Sequence, residues 1–200
     1  MSWIKIISFE EATGKLKRLY TKVTGPNNNV DNIMMVHGLR PHTMTGHMSL
    51  YKNVLHNSNN TLPKWFLETI GVYVSILNKC DYCINHHFEG LKRLINNDEK
   101  SNQIKLDLEQ NKSPFIEKKY NAALAYSKKL TLSAFEVNKD DIIALRNTGI
   151  TDGEVLEINQ VTAYFNYANR TVLGLGVSTK GDIIGLSPNN SDDENNWNHQ

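Results

Sequence analysis

"KWFLETIGVYVSILNKCDYCINHHFEGLKRL", residues 64–94, holds both cysteines of a 200-residue chain, three positions apart, with a histidine pair just after them. Residues 64–77 are apolar nearly all round at a length suited to one helix, with Glu68 as the exception. "LNK" then turns the chain, and a second helix is expected from Cys80 to about Asn96. Positions i, i+3 and i+7 share a face, so Cys80, Cys83 and His87 fall on one stripe, with His86 pointing about 100° away from His87. If the two helices pack antiparallel, Glu68 lies about 15 Å back from the turn and His87 about 10 Å along the return, at ~1.5 Å per residue. These depths are similar, and a carboxylate inside an apolar run needs a partner. Glu68 orienting His87, which accepts a proton from Cys83, is a relay that activates a thiol. The positive end of the helix is expected to lower the pKa of both thiols.

Elsewhere helical periodicity also dominates. Leu16, Leu19 and Val23 mark a helix over residues 8–23, ended by Gly25 and Pro26. A short helical segment is expected over 30–40. Met44, Met48, Tyr51 and Leu55 then share one face. Pro63 suits a first turn. Further helices are expected over 114–130, 139–147 and 152–175, the last capped by Thr151 or Asp152 with Glu154 in its first turn. "NNDEKSNQIKLDLEQNKS", residues 96–113, reads as a polar connector. Alternation of β-branched residues is nearly absent, which makes the fold class all-α. Residues 1–180 read as one helical domain, and 181–200 as a polar, disordered tail.

Lys and Arg number 22 against 21 Asp and Glu, for a net charge of +1. That balance argues against nucleic acid or an anionic membrane as partner. No apolar run is long enough for a signal peptide or a membrane span, so a cytoplasmic protein is expected. In that compartment a lone Cys-x-x-Cys pair is catalytic or metal-binding rather than a structural staple. Zinc on Cys80, Cys83 and His87 is the competing reading, with Glu68 as a fourth ligand, since no third cysteine exists. A redox-sensing module without turnover is another. No flavin, haem or nicotinamide motif is present, so no cofactor is expected and electrons must arrive by thiol–disulfide exchange.

Glu68, Cys80, Asp81, Tyr82, Cys83, His86 and His87 together resemble the AhpD-like alkylhydroperoxidases of the carboxymuconolactone decarboxylase superfamily, and more closely the peroxidase-related group within it. "GLRPHTMTGHMSLYKNVL" (38–55), "YSKKLT" (126–131), "ALRNTGITDGEVLEI" (144–158) and "AYFNYANRTVLGLGV" (163–177) extend the resemblance over about residues 5–178. It implies an AhpD-like helical bundle with the Cys-x-x-Cys at a helix start. It also implies a hydroperoxide substrate, a thiol or dithiol protein as reductant, and a homo-oligomer. Cys83 then attacks the peroxide, and Cys80 resolves it to a disulfide and faces the reductant, with Glu68 and His87 in the relay. Well-characterised members carry a histidine where this chain has Tyr82; the peroxidase-related group commonly has Tyr. Lactone decarboxylation is a poorer reading, since the superfamily's decarboxylases generally lack the cysteine pair. His47 is placed in the same cavity by resemblance only. Asn166, Asn169 and Arg170 read as groups that bond a neighbouring chain or cap a loop.

Overall fold

The computed structural model describes residues 2–186 and Trp197. The helices are α1 (Gly14–Val23), α2 (Asn32–Met35), α3 (Pro41–Tyr51), α4 (Lys64–Leu77), α5 (Asp81–Ile95), α6 (Asp98–Glu109), α7 (Lys118–Leu132), α8 (Lys139–Arg146) and α9 (Asp152–Leu175). No strand occurs among the described residues, and the fold is all-α. None of these helices is long and apolar enough to cross a membrane.

α4 is the axis of the molecule. Every residue from Phe66 to Ser75 is buried, and the helix is enclosed by α5, α6, α7 and α9. A helix apolar on all sides must lie inside the core, because no face can be left to water. Glu157 on α9 pins its entry, accepting the Thr61 N–H at 2.8 Å and the Leu62 N–H at 2.9 Å. At its exit the Cys80 N–H donates to the Ser75 carbonyl at 2.9 Å and the Lys79 N–H to Ile76 at 3.0 Å. This pair of bonds is a Schellman motif, which needs a left-handed residue; Lys79 takes that place at φ 56°. The chain therefore reverses in three residues, and α5 returns along α4.

Four features differ from expectation. α1 starts at Gly14 rather than residue 8, because Thr13 is extended and Gly14 sits at φ 54°. Residues 8–12 form an isolated turn instead, in which Glu11 accepts hydrogen bonds from the Ser8 N–H and hydroxyl. The expected connector contains α6, capped by the Asn97 side chain on the Lys100 N–H. Only Ser101, Ile104 and Leu108 of α6 are buried, a stripe too narrow to stand out from its polar surroundings. α7 begins at Lys118, after an irregular segment that contains Pro114. α3 does not stop cleanly but runs into a π turn over Lys52–His56, which swings His56 inward beneath Tyr51. Such single π turns collect at functional sites.

The expected tail falls largely outside the described residues, over 187–196 and 198–200. Its first part is well anchored. Asn32 Nδ2 donates to the carbonyls of Ser178 and Lys180, Asn29 Nδ2 donates to that of Gly181, and Asp182 enters the interior beside α5.

Candidate functional site

Cys80 is the N-cap of α5 and Cys83 lies in its first turn. His87, one turn beyond Cys83, points back at α4. Its Nδ1 is 2.8 Å from Glu68 Oε2. Glu68 is 1 % exposed, so this imidazole is what makes its burial tolerable. The other oxygen, Oε1, faces His56 Nε2 at 3.8 Å. Phe165 stands edge-on to the His87 ring with centroids 4.6 Å apart. Since Nδ1–H donates to Glu68, Nε2 of His87 is left as the basic nitrogen.

Cys83 and His87 line one partly open cavity of about 50 Å³. Its walls are apolar where Val23, Ile33, Met34, Met48 and Ala168 contribute, and polar where Asp31, Tyr51, His86, His47 and Tyr164 do. Cys80 is not among the lining groups. It is wholly buried in a small apolar cluster with Val36, Val172 and Val177. Both thiols are free and are not at disulfide distance.

The two thiols do not share one acidity, contrary to the expectation that the helix end lowers both. A hydrogen bond from the Cys83 thiol, together with the backbone N–H groups of Cys83 and Tyr82, holds Cys80 below the ordinary thiol range. The same hydrogen bond and burial push Cys83 well above it, and the Asn169 amide beside Cys83 offsets this in part. The physical difference is positional. An N-cap side chain meets the unpaired N–H groups of the first turn, whereas the residue three further on lies beside the helix and donates to that cap. The placement of Cys80 also departs from the expectation that it faces a reductant, since no part of it reaches the surface.

Asn169 is fully buried; it donates to Ser75 Oγ at 3.1 Å and accepts from Asn78 at 2.9 Å. It thus forms a shelf beneath Cys83 within the same chain rather than a contact to another one. Arg170 donates to Asn166, also locally. His47 does line the cavity. Burial and the neighbouring imidazoles of His37 and His87 push it down to about 3, so it is neutral, and its Nε2 lies 3.3 Å from the Tyr164 hydroxyl.

The second polar wall was not legible in the sequence. The Tyr82 hydroxyl donates to Asp182 Oδ2 at 2.6 Å and accepts the Ile33 N–H at 3.1 Å. His86 Nε2 lies 3.2 Å from the same Oδ2. Asp31, just ahead of α2, also lines the cavity, and burial pushes its carboxyl up to about 6. Among the described residues, no three His, Cys, Asp or Glu side chains are placed to hold a metal ion together.

No protein-family model and no curated protein matches this chain. Solved structures do. One is similar at TM-score 0.76 and 23% identity, over 88% of this chain and 91% of its own: an AhpD-core, uncharacterised peroxidase-related protein from Ralstonia eutropha. A peroxidase-related protein from a Silicibacter species is similar at TM-score 0.71 and 20% identity, over 88% of this chain and 87% of its own. The debrominase Bmp8 is similar at 0.68 and 18% identity, over 86% of this chain and 89% of its own. At these identities it is the backbone architecture that is shared, and this chain has the AhpD-like helical fold.

Proposed function

We propose that this protein is a thiol-dependent hydroperoxidase in which Cys83 attacks the peroxide and Cys80 resolves it. The observation that carries this is the 2.8 Å contact of Glu68 with His87, whose ring lines the same cavity as Cys83. Cys83 is held protonated in the resting dithiol, so it needs a base, and His87 Nε2 is the base that the Glu68 contact leaves available. The Cys83 thiolate then attacks the terminal peroxide oxygen. An S–O bond forms, the O–O bond breaks, and the sulfur becomes a sulfenic acid. Cys80 condenses with it, giving the disulfide and water. A thiol or dithiol protein returns two electrons by exchange. Because Cys80 has no exposed surface, that exchange requires the Val36, Val172 and Val177 cluster to part. We further propose that it acts in the cytoplasm as a homo-oligomer.

Dimedone trapping during a single turnover tests the assignment. The label is expected on Cys83, and Cys83→Ser is expected to abolish peroxide consumption; full turnover in that variant rules the mechanism out. The likeness to a debrominase, also solved with 2,3,4-tribromopyrrole, gives a second reading, in which the same cavity takes a brominated ring. Bromide release from a bromopyrrole, with no peroxide consumed, would select it.

A further inference from the structure

The hydroperoxidase step proposed above uses one imidazole of the cavity. A second stands beside it with a carboxylate of its own. His86 and His87 lie three and four residues beyond Cys83, so at about 100° per residue they fall roughly 60° to one side of it and 40° to the other. They straddle the sulfur; His86 is not turned away from it. His87 is held by Glu68 from α4, and His86 by Asp182 from the segment that follows α9.

The orientation of Asp182 is over-determined. Oδ1 accepts the Asn32 N–H at 3.1 Å, Oδ2 accepts the Tyr82 hydroxyl at 2.6 Å and faces His86 Nε2 at 3.2 Å, and the side chain is 1 % exposed. Tyr82 also stacks on the His86 ring, with centroids 4.6 Å apart. A carboxyl so enclosed is costly to bury unless its oxygens are partnered, and here each of them is. Asp31, Asp182, Tyr82 and His87 are the titratable groups around His86.

We propose that His86, oriented by Asp182, is the proton donor to the leaving oxygen, while His87 is the base for the thiol. This rests on the hydroperoxidase reading and divides its two proton transfers between two imidazoles. As the Cys83 thiolate forms its bond to the terminal oxygen, the O–O electron pair passes to the remaining oxygen. The imidazolium of His86 supplies the proton that makes it an alcohol. The thiol proton rests on His87 and returns to His86 through solvent, so the sum is thiol plus hydroperoxide to sulfenic acid plus alcohol. His86 is then a catalytic residue and Asp182 a positioning residue.

Ethyl hydroperoxide and peracetic acid separate this role from a structural one. They are alike in size, but the first expels an alkoxide that needs a proton and the second a carboxylate that does not. In stopped-flow measurements of Cys83 sulfenate formation, His86→Gln is expected to slow ethyl hydroperoxide about 10²-fold. It is expected to slow peracetic acid by less than about threefold on the same reasoning. Asp182→Asn should show the same selectivity more weakly, with helical circular dichroism and the pH profile of Cys83 alkylation by iodoacetamide unchanged in both variants. Equal losses on the two oxidants, or none on either, overturn the assignment of His86 and leave the hydroperoxidase reading in place. A wild-type protein inert to both oxidants removes the hydroperoxidase reading itself, and this inference with it.

Discussion

Asp31 sits at the cavity wall among His86, Asp182 and His87, and burial pushes its carboxyl up to about 6. A carboxyl raised in the folded state binds its proton more tightly there than in the unfolded chain. Its cost to stability is therefore absent below the ordinary carboxylate pKa and complete once the pH has risen past about 6. Asp31→Asn should accordingly gain stability over the wild type as the pH is raised from 5 to 8, by on the order of 1 kcal/mol. Urea denaturation at the two pH values checks this, and an unchanged difference would mean that Asp31 is well solvated. At this scale Glu68 was legible, because one acid in an apolar run demands a partner. His86, about 100° from His87 on the helix, is only about 60° from Cys83, and its place in the cavity wall does not follow from the stripe alone. The unequal acidity of the two thiols was not legible, since it depends on which sulfur meets the helix-end N–H groups and which donates.

At the scale of elements, the α4–α5 hairpin carries the chemistry, and its turn is strained at Lys79. A side chain in the left-handed region is unfavourable where glycine is not. Lys79→Gly is therefore expected to raise stability by about 0.5–1 kcal/mol in chemical denaturation, after the greater freedom of glycine in the unfolded chain is deducted. A loss of stability instead would show that the Lys79 side chain holds the turn. Where α4 meets α9, a Cβ on Gly71 would run into the Phe165 ring. Gly71→Ala should cost about 1–3 kcal/mol through overpacking. Because Phe165 also stands against His87, that variant should slow Cys83 sulfenate formation as well, which stopped-flow labelling would detect. α4 and α5 were readable because one is apolar all round and the other begins at a sharp turn. α6 was missed because its buried stripe is one residue wide.

For the molecule as a whole, the segment after α9 closes the second wall of the cavity from a hundred positions away in sequence. A chain ended at Lys180 should keep its helical circular dichroism but lose about 2 kcal/mol or more relative to one ended at Leu186. The buried bonds of Asp182 to Tyr82 and His86 are what it gives up. Equal unfolding midpoints for the two chains would show that the strap contributes nothing. Composition alone placed 181 onward in a polar tail, and no local signal separates Asp182 from Asp192 or Asp193.

What the sequence determined by itself was local and periodic: an all-helical chain, a central helix with no polar face, a thiol pair at the start of the next, and a carboxylate that had to find an imidazole. These follow from hydrogen bonds and burial patterns that repeat every few residues, so a short window contains them. Only the tertiary structure decided that the cavity has a second carboxylate–imidazole pair, that Cys80 is sealed beneath valines, and that Asn169 supports Cys83. Each of those depends on groups brought together over long separations by the packing of α4 against α5 and α9. Contacts of that kind leave no period in the chain from which to read them.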